Sequence, residues 1–330
     1  MDKKYGIQII GTGAYLPEKI VTNADLEKIV DTTDEWITQR TGIRERRIVE
    51  KGTAASDLAE KAARKAIEDA NADPQEIDLI IIATSTPDMF FPSTACVLQR
   101  KLGIKNNSVC FDIFAACSGF LYALGIAKNM MESGQYRSCL IVGAEALSYV
   151  TNWKDRGTCV LFGDGAGAML IKRVEGETNV LSVLLGANGA HTGILEIPAG
   201  GSRYPTTHET LDQGLNCIRM DGKEVFKHAV ITMLKAAKKA LELSNKKLED
   251  LALLIPHQAN MRIIEAMGER LNLPKEKIFV NLHKYGNISA ATTIVALDEA
   301  RKQGIVKTGD YVELVAFGAG LTWGAAVIRL

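Results

Sequence analysis

The sequence lacks an excess of charge of either sign, since Lys and Arg together number 39 and so do Asp and Glu. A neutral chain has no overall attraction for nucleic acid or an anionic membrane, so we expect neither as a partner. It also lacks any run near the roughly 18 apolar residues of a membrane span, and Met1 passes almost directly into a strand-like segment without a leader. These absences predict a soluble, cytoplasmic protein.

Paired cysteine motifs are missing as well. No C-x-x-C pair occurs, and several of the cysteines stand in apolar runs, where a thiol packs as a small hydrophobe. This usage favours a reducing compartment. No Cys, His and carboxylate spacing suggests a metal site, so we expect no metal. The cysteines are Cys96, Cys110, Cys117, Cys139, Cys159 and Cys217.

The glycine-rich segments lack the remainder of a nucleotide-binding motif. Gly11-Thr12-Gly13 follows a strand, but the third glycine of a dinucleotide fingerprint is replaced by Leu16, and Pro17 follows. Phe162–Ala168 lacks the Lys-Ser/Thr of a phosphate loop and leads into a strand, so tight packing explains its glycines. A nicotinamide-dependent oxidoreductase is therefore disfavoured.

Short apolar runs alternate with alanine-rich amphipathic segments, a pattern typical of an α/β fold. With 47% hydrophobic residues and 29 glycines, the chain can bury one large core or two fused cores. The strand candidates are Ile7–Ile10, Leu79–Ala83, Leu140–Val142, Ala168–Ile171, Leu251–Ile255 and Val312–Ala316.

Similar segments recur along the chain at offsets of roughly 172 to 175 residues. A helix followed by a strand occurs at 54–83 and again at 223–255, and Gly134-Gln135-Tyr136 resembles Gly309-Asp310-Tyr311. We therefore predict two similar halves, residues 1–175 and 176–330, with the site where they meet. The irregular stretch Asn188–Asn216 is expected to be a surface excursion near that site.

Cys117 stands where a strand-like segment gives way to an apolar helix that runs to about Glu132. Free N–H groups and the positive end of the helix dipole favour a thiolate there, as a nucleophilic cysteine requires. On position alone, a packed structural thiol is an equally good interpretation.

Two polar residues stand in comparable places in the second half. His257 follows a strand and a proline, so it should project from the strand's carboxyl end, where α/β folds place ligand sites. Asn287 lies at a loop–helix junction, where a turn or helix cap is the simpler explanation. Phe317–Gly324 brings backbone N–H groups close together and suits either an oxyanion hole or a plain hairpin.

Taken together, these segments resemble the β-ketoacyl-acyl-carrier-protein synthase III family of the thiolase superfamily, over nearly the whole chain. The motifs that carry the resemblance are Asp34-Glu35-Trp36-Ile37, Arg40-Thr41-Gly42-Ile43, Ala115–Phe120, Leu161–Ala168, Pro256-His257-Gln258-Ala259-Asn260, Gly286–Ala290 and Thr322-Trp323-Gly324. The resemblance implies a thiolase-like α/β fold, duplicated and five-layered (αβαβα), a homodimer, and a catalytic triad of Cys117, His257 and Asn287.

The resemblance also implies binding residues for acyl-CoA and for acyl carrier protein. Trp36 and Arg156 are expected to sandwich the adenine of coenzyme A, with Arg40 near its phosphates. Gly222 and Asn260 are expected to line the pantetheine tunnel. Phe91 is expected to reach across the dimer and close the partner's acyl pocket. The residues expected to contact acyl carrier protein are Gln258, Ala259, Asn260, Met261 and Arg262.

The implied reaction loads an acyl group from acyl-CoA onto Cys117, then condenses it with malonyl-acyl-carrier-protein with loss of CO2, without a cofactor. Backbone N–H groups of Cys117 and Ala319 are expected to hold the oxyanion, although the family commonly has glycine where this chain has Ala319. Two alternatives stay open: a thiolase-fold starter synthase with a polyketide or quinolone-type acceptor, and a silent protein that binds acyl carrier or coenzyme A. Primer preference is not fixed by the sequence.

Overall fold

The computed structural model describes residues 5–330, which form two principal β-sheets with helices packed on their faces. The strands are β1 (Tyr5–Tyr15), β2 (Ile20–Thr22), β3 (Glu45–Arg47), β4 (Leu79–Ala83), β5 (Val109–Ile113), β6 (Ser138–Ala146), β7 (Asp164–Glu175), β8 (Val180–Ala187), β9 (Leu195–Glu196), β10 (Arg219–Met220), β11 (Leu251–Pro256), β12 (Tyr311–Gly318) and β13 (Thr322–Arg329). The helices are α1 (Asn23–Leu26), α2 (Asp34–Thr41), α3 (Ala55–Asp69), α4 (Thr94–Lys101), α5 (Gly119–Glu132), α6 (His208–Asp212), α7 (Gly222–Leu243), α8 (Met261–Leu271), α9 (Leu282–Tyr285) and α10 (Thr292–Lys302).

The two sheets repeat one strand order. The first sheet has the order β1-β7-β6-β4-β5, and the second, read from its other edge, has β8-β13-β12-β11. In the first sheet, β7 is antiparallel to both β1 and β6, and β6 is parallel to β4. In the second sheet, β13 is antiparallel to both β8 and β12, and β12 is parallel to β11. β7 ends at Glu175 and β8 begins at Val180. The division into halves at residue 175 stays a prediction.

The elements stack in five layers. Helices α3 and α4 pack on the outer face of the first sheet, α5 and α10 lie between the sheets, and α7 and α8 cover the outer face of the second. Three apolar cores fill the spaces between these layers. The predicted α/β, five-layered thiolase-like fold is confirmed.

The central elements explain why the sequence folds in this way. Strand β4 is buried throughout its length and pairs in parallel with β5 and β6, which accounts for its uninterrupted apolar run. Helix α5 contributes Phe120, Leu121 and Leu124 to the core between the sheets, so its burial on several sides is as the sequence predicts. Among the helices within residues 5–330, none is long and apolar enough to cross a membrane.

The fold brings several strand ends to one place. The turn Ala116–Ser118, which connects β5 with α5, packs on β12 and on the turn Ser289–Ala291. That second turn also packs on β6. At Gly143 of β6, an added Cβ would lie 2.7 Å from the carbonyl oxygen of Ala290, so the close approach requires glycine. Chemistry-bearing residues of both sheets therefore meet between them.

Candidate active site

Cys117 is held in a strained turn between β5 and α5. Ala116, just before it, has a φ of 45°, a left-handed conformation that residues with a side chain rarely adopt. The Ser118 hydroxyl donates to Thr322 Oγ1 at 2.7 Å, and Thr322 in turn donates to the Ala115 carbonyl at 3.1 Å. These bonds fix the cysteine turn on the hairpin between β12 and β13.

The end of β12 touches the cysteine directly. A Cβ added to Gly318 would lie 2.7 Å from the Cys117 backbone nitrogen, so this position requires glycine. Gly318 lines the cavity in front of Cys117, whereas Ala319 is not among the lining residues. The Ala319 carbonyl oxygen lies 2.9 Å from Thr322 Oγ1, as an alternative acceptor for that hydroxyl's one hydrogen. Its expected oxyanion role stays a prediction.

Burial raises the pKa of Cys117 to about 12, although hydrogen bonds from Ser289 and Asn287 act to lower it. Burial therefore opposes the thiolate that the start of a helix favours. The predicted role of Cys117 as the nucleophile stays a prediction.

His257 follows β11, as predicted, and is almost completely buried. Burial lowers its pKa to about 3, so the ring is neutral. Its Nδ1 lies 2.6 Å from Thr292 Oγ1, and that hydroxyl is also 3.0 Å from the Ser289 carbonyl oxygen. The hydroxyl carries one hydrogen, so it donates either to Nδ1 or to the carbonyl. Only donation to Nδ1 leaves the ring proton on Nε2.

Asn287 is fixed from both ends. Its backbone N–H donates to the Leu161 carbonyl at 2.8 Å, and its own carbonyl accepts from the Gly163 N–H at 3.0 Å. Its side-chain Oδ1 accepts from the Ser289 N–H at 2.8 Å, which leaves the amide N–H groups to face the Cys117 sulfur. The asparagine is therefore more than a turn residue.

Two further residues near the thiol were missed at the sequence level. Ser289 acts to lower the pKa of Cys117, and Glu145, which is fully buried near the end of β6, acts to raise it. The sequence signal for Glu145 is the same as that for His257, because each is a polar residue at the carboxyl end of an apolar strand. Ser289 lies in the Gly286–Ala290 motif, two residues after Asn287.

One cavity of about 660 Å³ joins this chemistry to the surface. It brings together the three residues predicted as the catalytic triad and every residue predicted to bind coenzyme A. Those lining residues are Cys117, His257, Asn287, Trp36, Arg40, Arg156, Gly222 and Asn260.

The indole of Trp36 is flanked by two cations at the cavity mouth. The guanidinium carbon of Arg156 lies 5.2 Å from the ring centroid and that of Arg40 lies 6.0 Å from it. An adenine stacked between two planar groups needs about 7 Å. The predicted sandwich would therefore need Arg156 to move outward by roughly 2 Å.

Arg46, a buried arginine that is not among the predicted site residues, supports the cavity mouth through its hydrogen bonds. Arg46 Nη2 donates to the Val160 carbonyl and to Asn23 Oδ1, both at 2.9 Å. Asn23 Nδ2 then donates to Asp34 Oδ1 at 2.8 Å, at the start of the helix that carries Trp36. Burial lowers the pKa of Arg46 to about 10.

The expected contact of Gln258 with acyl carrier protein is wrong. Gln258 is 1% exposed; its amide donates to the Pro256 and Phe279 carbonyls, and its oxygen accepts backbone N–H groups. It supports the chain behind His257, because all of its polar atoms are used internally. Arg262 is exposed beside it, while Ala259, Asn260 and Met261 are partly exposed.

Phe91 lies on the surface of its own chain and is 85% exposed. It does not line the cavity described above. Phe90 and Phe114 are also largely exposed, and β5 is an edge strand of the first sheet. The expected role of Phe91 in a partner's pocket stays a prediction.

This fold and this arrangement of thiol, imidazole and amide define the class of thiolase-fold condensing enzymes, which transfer acyl groups. A family model described as 3-Oxoacyl-[acyl-carrier-protein (ACP)] synthase III matches residues 111–189, and the model of that family's C-terminal part matches residues 225–330. The chain is 55% identical to a beta-ketoacyl-[acyl-carrier-protein] synthase III from Caldanaerobacter subterraneus subsp. tengcongensis, covering 100% of this chain and 99% of that protein.

Solved structures agree. The 3-oxoacyl-[acyl-carrier-protein] synthase III from Aquifex aeolicus VF5 is 50% identical with a TM-score of 0.90, covering 98% of this chain and 100% of that one. The priming beta-ketosynthase from the R1128 polyketide pathway is 34% identical with a TM-score of 0.92, covering 100% of this chain and 98% of that one. The chain belongs to the 3-oxoacyl-[acyl-carrier-protein] synthase III family.

Proposed function

We propose that this protein takes an acyl group from coenzyme A onto Cys117 and condenses it with a malonyl unit carried by acyl carrier protein, the initiating step of fatty acid synthesis. The observation that carries the proposal is the cavity of about 660 Å³ shared by the predicted coenzyme A residues and the predicted triad. Its basic mouth and its polar inner end suit a phosphorylated carrier with a reactive thioester at its tip.

The mouth binds the nucleotide end of coenzyme A. Trp36 offers an aromatic face for adenine, with Arg156 on its other side and Arg40 beside the phosphates. Gly222 and Asn260 line the path to the thiol. Asn260 also donates from Nδ2 to the Arg40 carbonyl at 3.2 Å, so it ties α8 to the helix that carries both nucleotide-binding residues.

Acyl transfer begins when the Cys117 sulfur attacks the thioester carbonyl and its proton leaves. The oxyanion is held by the backbone N–H groups of Cys117 and Ala319, and the start of α5 stabilises negative charge as it develops. Collapse of the tetrahedral intermediate breaks the bond to coenzyme A, which takes up one proton for the one lost from Cys117 and leaves as the free thiol, while the acyl group stays on Cys117. No metal or cofactor takes part.

Condensation follows when malonyl-acyl-carrier-protein enters and loses CO2. The enolate oxygen accepts hydrogen bonds from His257 Nε2 and Asn287 Nδ2, and its carbon attacks the acyl thioester. The neutral state of His257 suits this role, because decarboxylation produces the nucleophile and no proton is removed from carbon. The Thr292 hydroxyl must then donate to Nδ1, which keeps the ring proton on Nε2.

Acyl carrier protein docks at the cavity mouth. Arg262 is exposed there, its guanidinium lies 6.0 Å from the Phe226 ring centroid, and Arg40, Arg156 and Lys223 line the same opening. This local cluster of cations gives a neutral protein a surface for an anionic partner. Ala259, Asn260 and Met261 complete the contact, without the buried Gln258.

The protein is proposed to act as a homodimer through the β5 edge. Phe90, Phe91 and Phe114 are exposed near this edge, and two such edges joined across a twofold axis would bury them. Phe91 would then enter the partner's acyl pocket. Sedimentation of wild type beside Phe91→Asp tests this, and a wild-type monomer would contradict it. The unpaired state of the cysteines supports a reducing, cytoplasmic location.

The test of the proposed function is the intact mass of the protein after incubation with acetyl-CoA and, separately, branched acyl-CoA, beside Cys117→Ala. We expect one acyl adduct that the variant lacks, and the relative yields identify the primer. Absence of an adduct with every short acyl-CoA would contradict the proposal.

The division of labour is tested with His257→Ala and Asn287→Ala. Both variants should retain measurable acylation of Cys117 but lose most decarboxylation of malonyl-acyl-carrier-protein. Complete loss of acylation in both would count against these roles.

The fold is also similar to that of a polyketide priming synthase, so a polyketide carrier protein is the second candidate for the acceptor of the condensation. We favour the fatty acid acceptor, because identity to the fatty acid relative is 55% and identity to the polyketide relative is 34%. Turnover with carrier proteins of both kinds decides between them. A silent binding protein would take up acyl-CoA without forming 3-oxoacyl product.

A further inference from the structure

Arg46 is a fully buried cation to which the proposed mechanism assigns no part. It lies at the centre of β3, with 0% of its surface exposed. Nη1 donates to the Val21 carbonyl at 3.1 Å and to Asn23 Oδ1 at 2.9 Å, while Nη2 donates to Asn23 Oδ1 and to the Val160 carbonyl, both at 2.9 Å. One guanidinium therefore ties the start of α1 to the segment that contains Val160.

The first branch of these hydrogen bonds leads to the helix at the cavity mouth. The Asn23 amide accepts from Arg46 at Oδ1, and its Nδ2 donates to Asp34 Oδ1 and to the Ile43 carbonyl, both at 2.8 Å. Asp34 is the first residue of α2, and Ile43 lies two residues after its last. The amide thus holds both ends of α2, the helix that carries Trp36.

The second branch leads to Asn287. Val160 and the next two residues line the cavity. Two hydrogen bonds join this stretch to Asn287, from the Asn287 N–H to the Leu161 carbonyl at 2.8 Å and from the Gly163 N–H to the Asn287 carbonyl at 3.0 Å. The carbonyl that Arg46 binds is therefore next in sequence to the carbonyl that Asn287 binds.

The aliphatic stem of Arg46 lies close to the same bridge. A Cβ added to Gly163 would lie 3.2 Å from the Arg46 Cβ, and one added to Gly286 would lie 3.5 Å from it. Gly163 donates to the Asn287 carbonyl, and Gly286 immediately precedes Asn287. Arg46 thus lies directly behind the backbone that presents the Asn287 amide to the cavity.

The environment of this arginine favours a role in geometry over a role in stability. Its three acceptors are uncharged oxygens, and its Nε has no hydrogen-bond partner within residues 5–330. Burial lowers the pKa of Arg46 to about 10, so the guanidinium still carries its charge at neutral pH. A buried charge with neutral partners adds little to stability, whereas a rigid planar fork fixes the relative positions of its acceptors.

We propose that Arg46 is a positioning residue for both half-reactions, because it sets the helix of Trp36 for coenzyme A binding and the backbone of Asn287 for condensation. The inference rests on the proposed function and deepens it, since it adds a residue to the support of the same site. Arg46 does not line the cavity, so it acts through Asn23 and Val160.

The experiment uses variants that separate the two branches. Arg46→Met removes every donor and keeps an unbranched stem, so both branches are lost. Asn23→Asp keeps an oxygen acceptor for Arg46 but loses the amide donor and places a second carboxylate beside Asp34, so only the branch to α2 is lost. Arg46→Lys keeps the charge without the planar fork. Arg301→Met, at an arginine that pairs with Asp69 away from the cavity, is the matched control.

Two quantities are measured on each full-length variant. They are the Kd for free coenzyme A by calorimetry and the saturated rate of malonyl-acyl-carrier-protein decarboxylation, expressed per Cys117 that takes up an acetyl group. Arg46→Met should weaken coenzyme A binding about tenfold and slow decarboxylation about tenfold, because small displacements of reacting groups cost rate steeply. Asn23→Asp should weaken binding by a similar factor and leave decarboxylation within about twofold. Arg46→Lys should resemble Arg46→Met, and the control should resemble wild type.

Counting acetylated Cys117 removes the contribution of unfolded protein, so loss of stability alone moves neither quantity. Wild-type values in Arg46→Met, even with a lower melting temperature, would therefore overturn the inference. So would a loss of decarboxylation in Asn23→Asp equal to that in Arg46→Met, or a wild-type-like Arg46→Lys, which would show that only the charge matters. If Arg46→Met does not fold, Arg46→Lys carries the same two measurements. A wild type that binds no coenzyme A and takes up no acetyl group would instead defeat the proposed function.

Discussion

Glu145 and Glu313 are both fully buried, and they lie on strands β6 and β12, which occupy equivalent places in the two sheets. Glu145 is near the carboxyl end of its strand and accepts hydrogen bonds from the Ser85 N–H and the Thr86 hydroxyl of a loop. Glu313 lies near the start of its strand, in register with Leu254 and Val327, and neither of its carboxyl oxygens has a hydrogen-bond partner within residues 5–330.

The difference shows what a strand end provides that a strand interior does not. In the interior, the ladder uses the backbone N–H groups, so a buried carboxyl group finds no donors. At the carboxyl end, loop N–H groups and hydroxyls are available to it. Burial raises the pKa of both residues, but for Glu145 the hydrogen bonds from Ser85 and Thr86 act to lower it.

The largest effect should come from replacing Glu145 with leucine. Glu145→Leu removes the acceptor of the Ser85 N–H and the Thr86 hydroxyl, and two orphaned donors lower the free energy of unfolding by about 3 kcal/mol. Urea unfolding measures the change. A free energy equal to that of wild type would show that water replaces the lost acceptor, and the contrast with Glu313 would fail.

Glu313→Leu should have the opposite sign. It replaces an unpartnered carboxyl group in an apolar core with a hydrophobic side chain, so we expect the free energy of unfolding to rise by roughly 2 kcal/mol. The same urea titration at neutral pH measures it. Destabilisation by this variant would mean that Glu313 has a partner after all.

The pH dependence of stability separates the two sites further. Because the folded pKa of Glu313 is raised, the folded state binds more protons than the unfolded state, and stability falls as pH rises above the unfolded pKa of about 4.3. Glu313→Gln should remove this contribution, up to about 1.4 kcal/mol per pH unit. The difference between the unfolding free energies of wild type and Glu313→Gln, measured at each pH, isolates this contribution. A difference that does not change with pH would refute the raised pKa of Glu313.

Thr292→Val tests a smaller contribution, that of the hydroxyl beside His257 Nδ1. Loss of the hydroxyl beside His257 Nδ1 should slow malonyl decarboxylation about fivefold, because the Nε2 proton is no longer favoured. Acylation should change less. Thr292→Ser should restore the rate, and Thr293→Val, at a buried threonine next in sequence, is the matched control. Equal losses in both half-reactions would indicate a general structural effect.

The smallest effect is expected at the far end of β12. Ala319→Gly keeps the backbone N–H and should change the acylation rate by less than about twofold. The free energy of unfolding should fall by up to about 1 kcal/mol, because glycine loses more conformational freedom on folding than alanine. Gly318→Ala should instead acylate poorly, since its Cβ would lie 2.7 Å from the Cys117 nitrogen. A large loss in Ala319→Gly would show that the methyl group shapes the pocket.

Much of the fold could be predicted because it depends on local patterns. The apolar run Leu79–Ala83 is β4 itself, and the helix predicted over 223–243 begins one residue earlier at Gly222. The excursion at Asn188–Asn216 contains the short elements β9 and α6, and its Leu195 lines the cavity, as expected. Periodicity and strand length encode such features within a short window of sequence.

Gln258 shows where local reasoning was insufficient. Its neighbours His257 and Asn260 both line the cavity, and the polar cluster after β11 indicated an exposed surface. The structure turns the glutamine inward, where its amide bonds the chain around Phe279 and Asn281. The direction of a side chain in a loop depends on contacts with distant segments, which sequence spacing does not contain.

The sequence by itself determined the α/β alternation, the family and the three residues proposed as the triad, since motif order and hydrophobic period are properties of the chain. Only the tertiary structure decided that Glu145 lies against the turn Ser289–Ala291, because strand β6 and that turn pack together. It also decided that the pKa of Cys117 is raised and that of His257 is lowered. Burial sets protonation, and burial is produced by the whole fold.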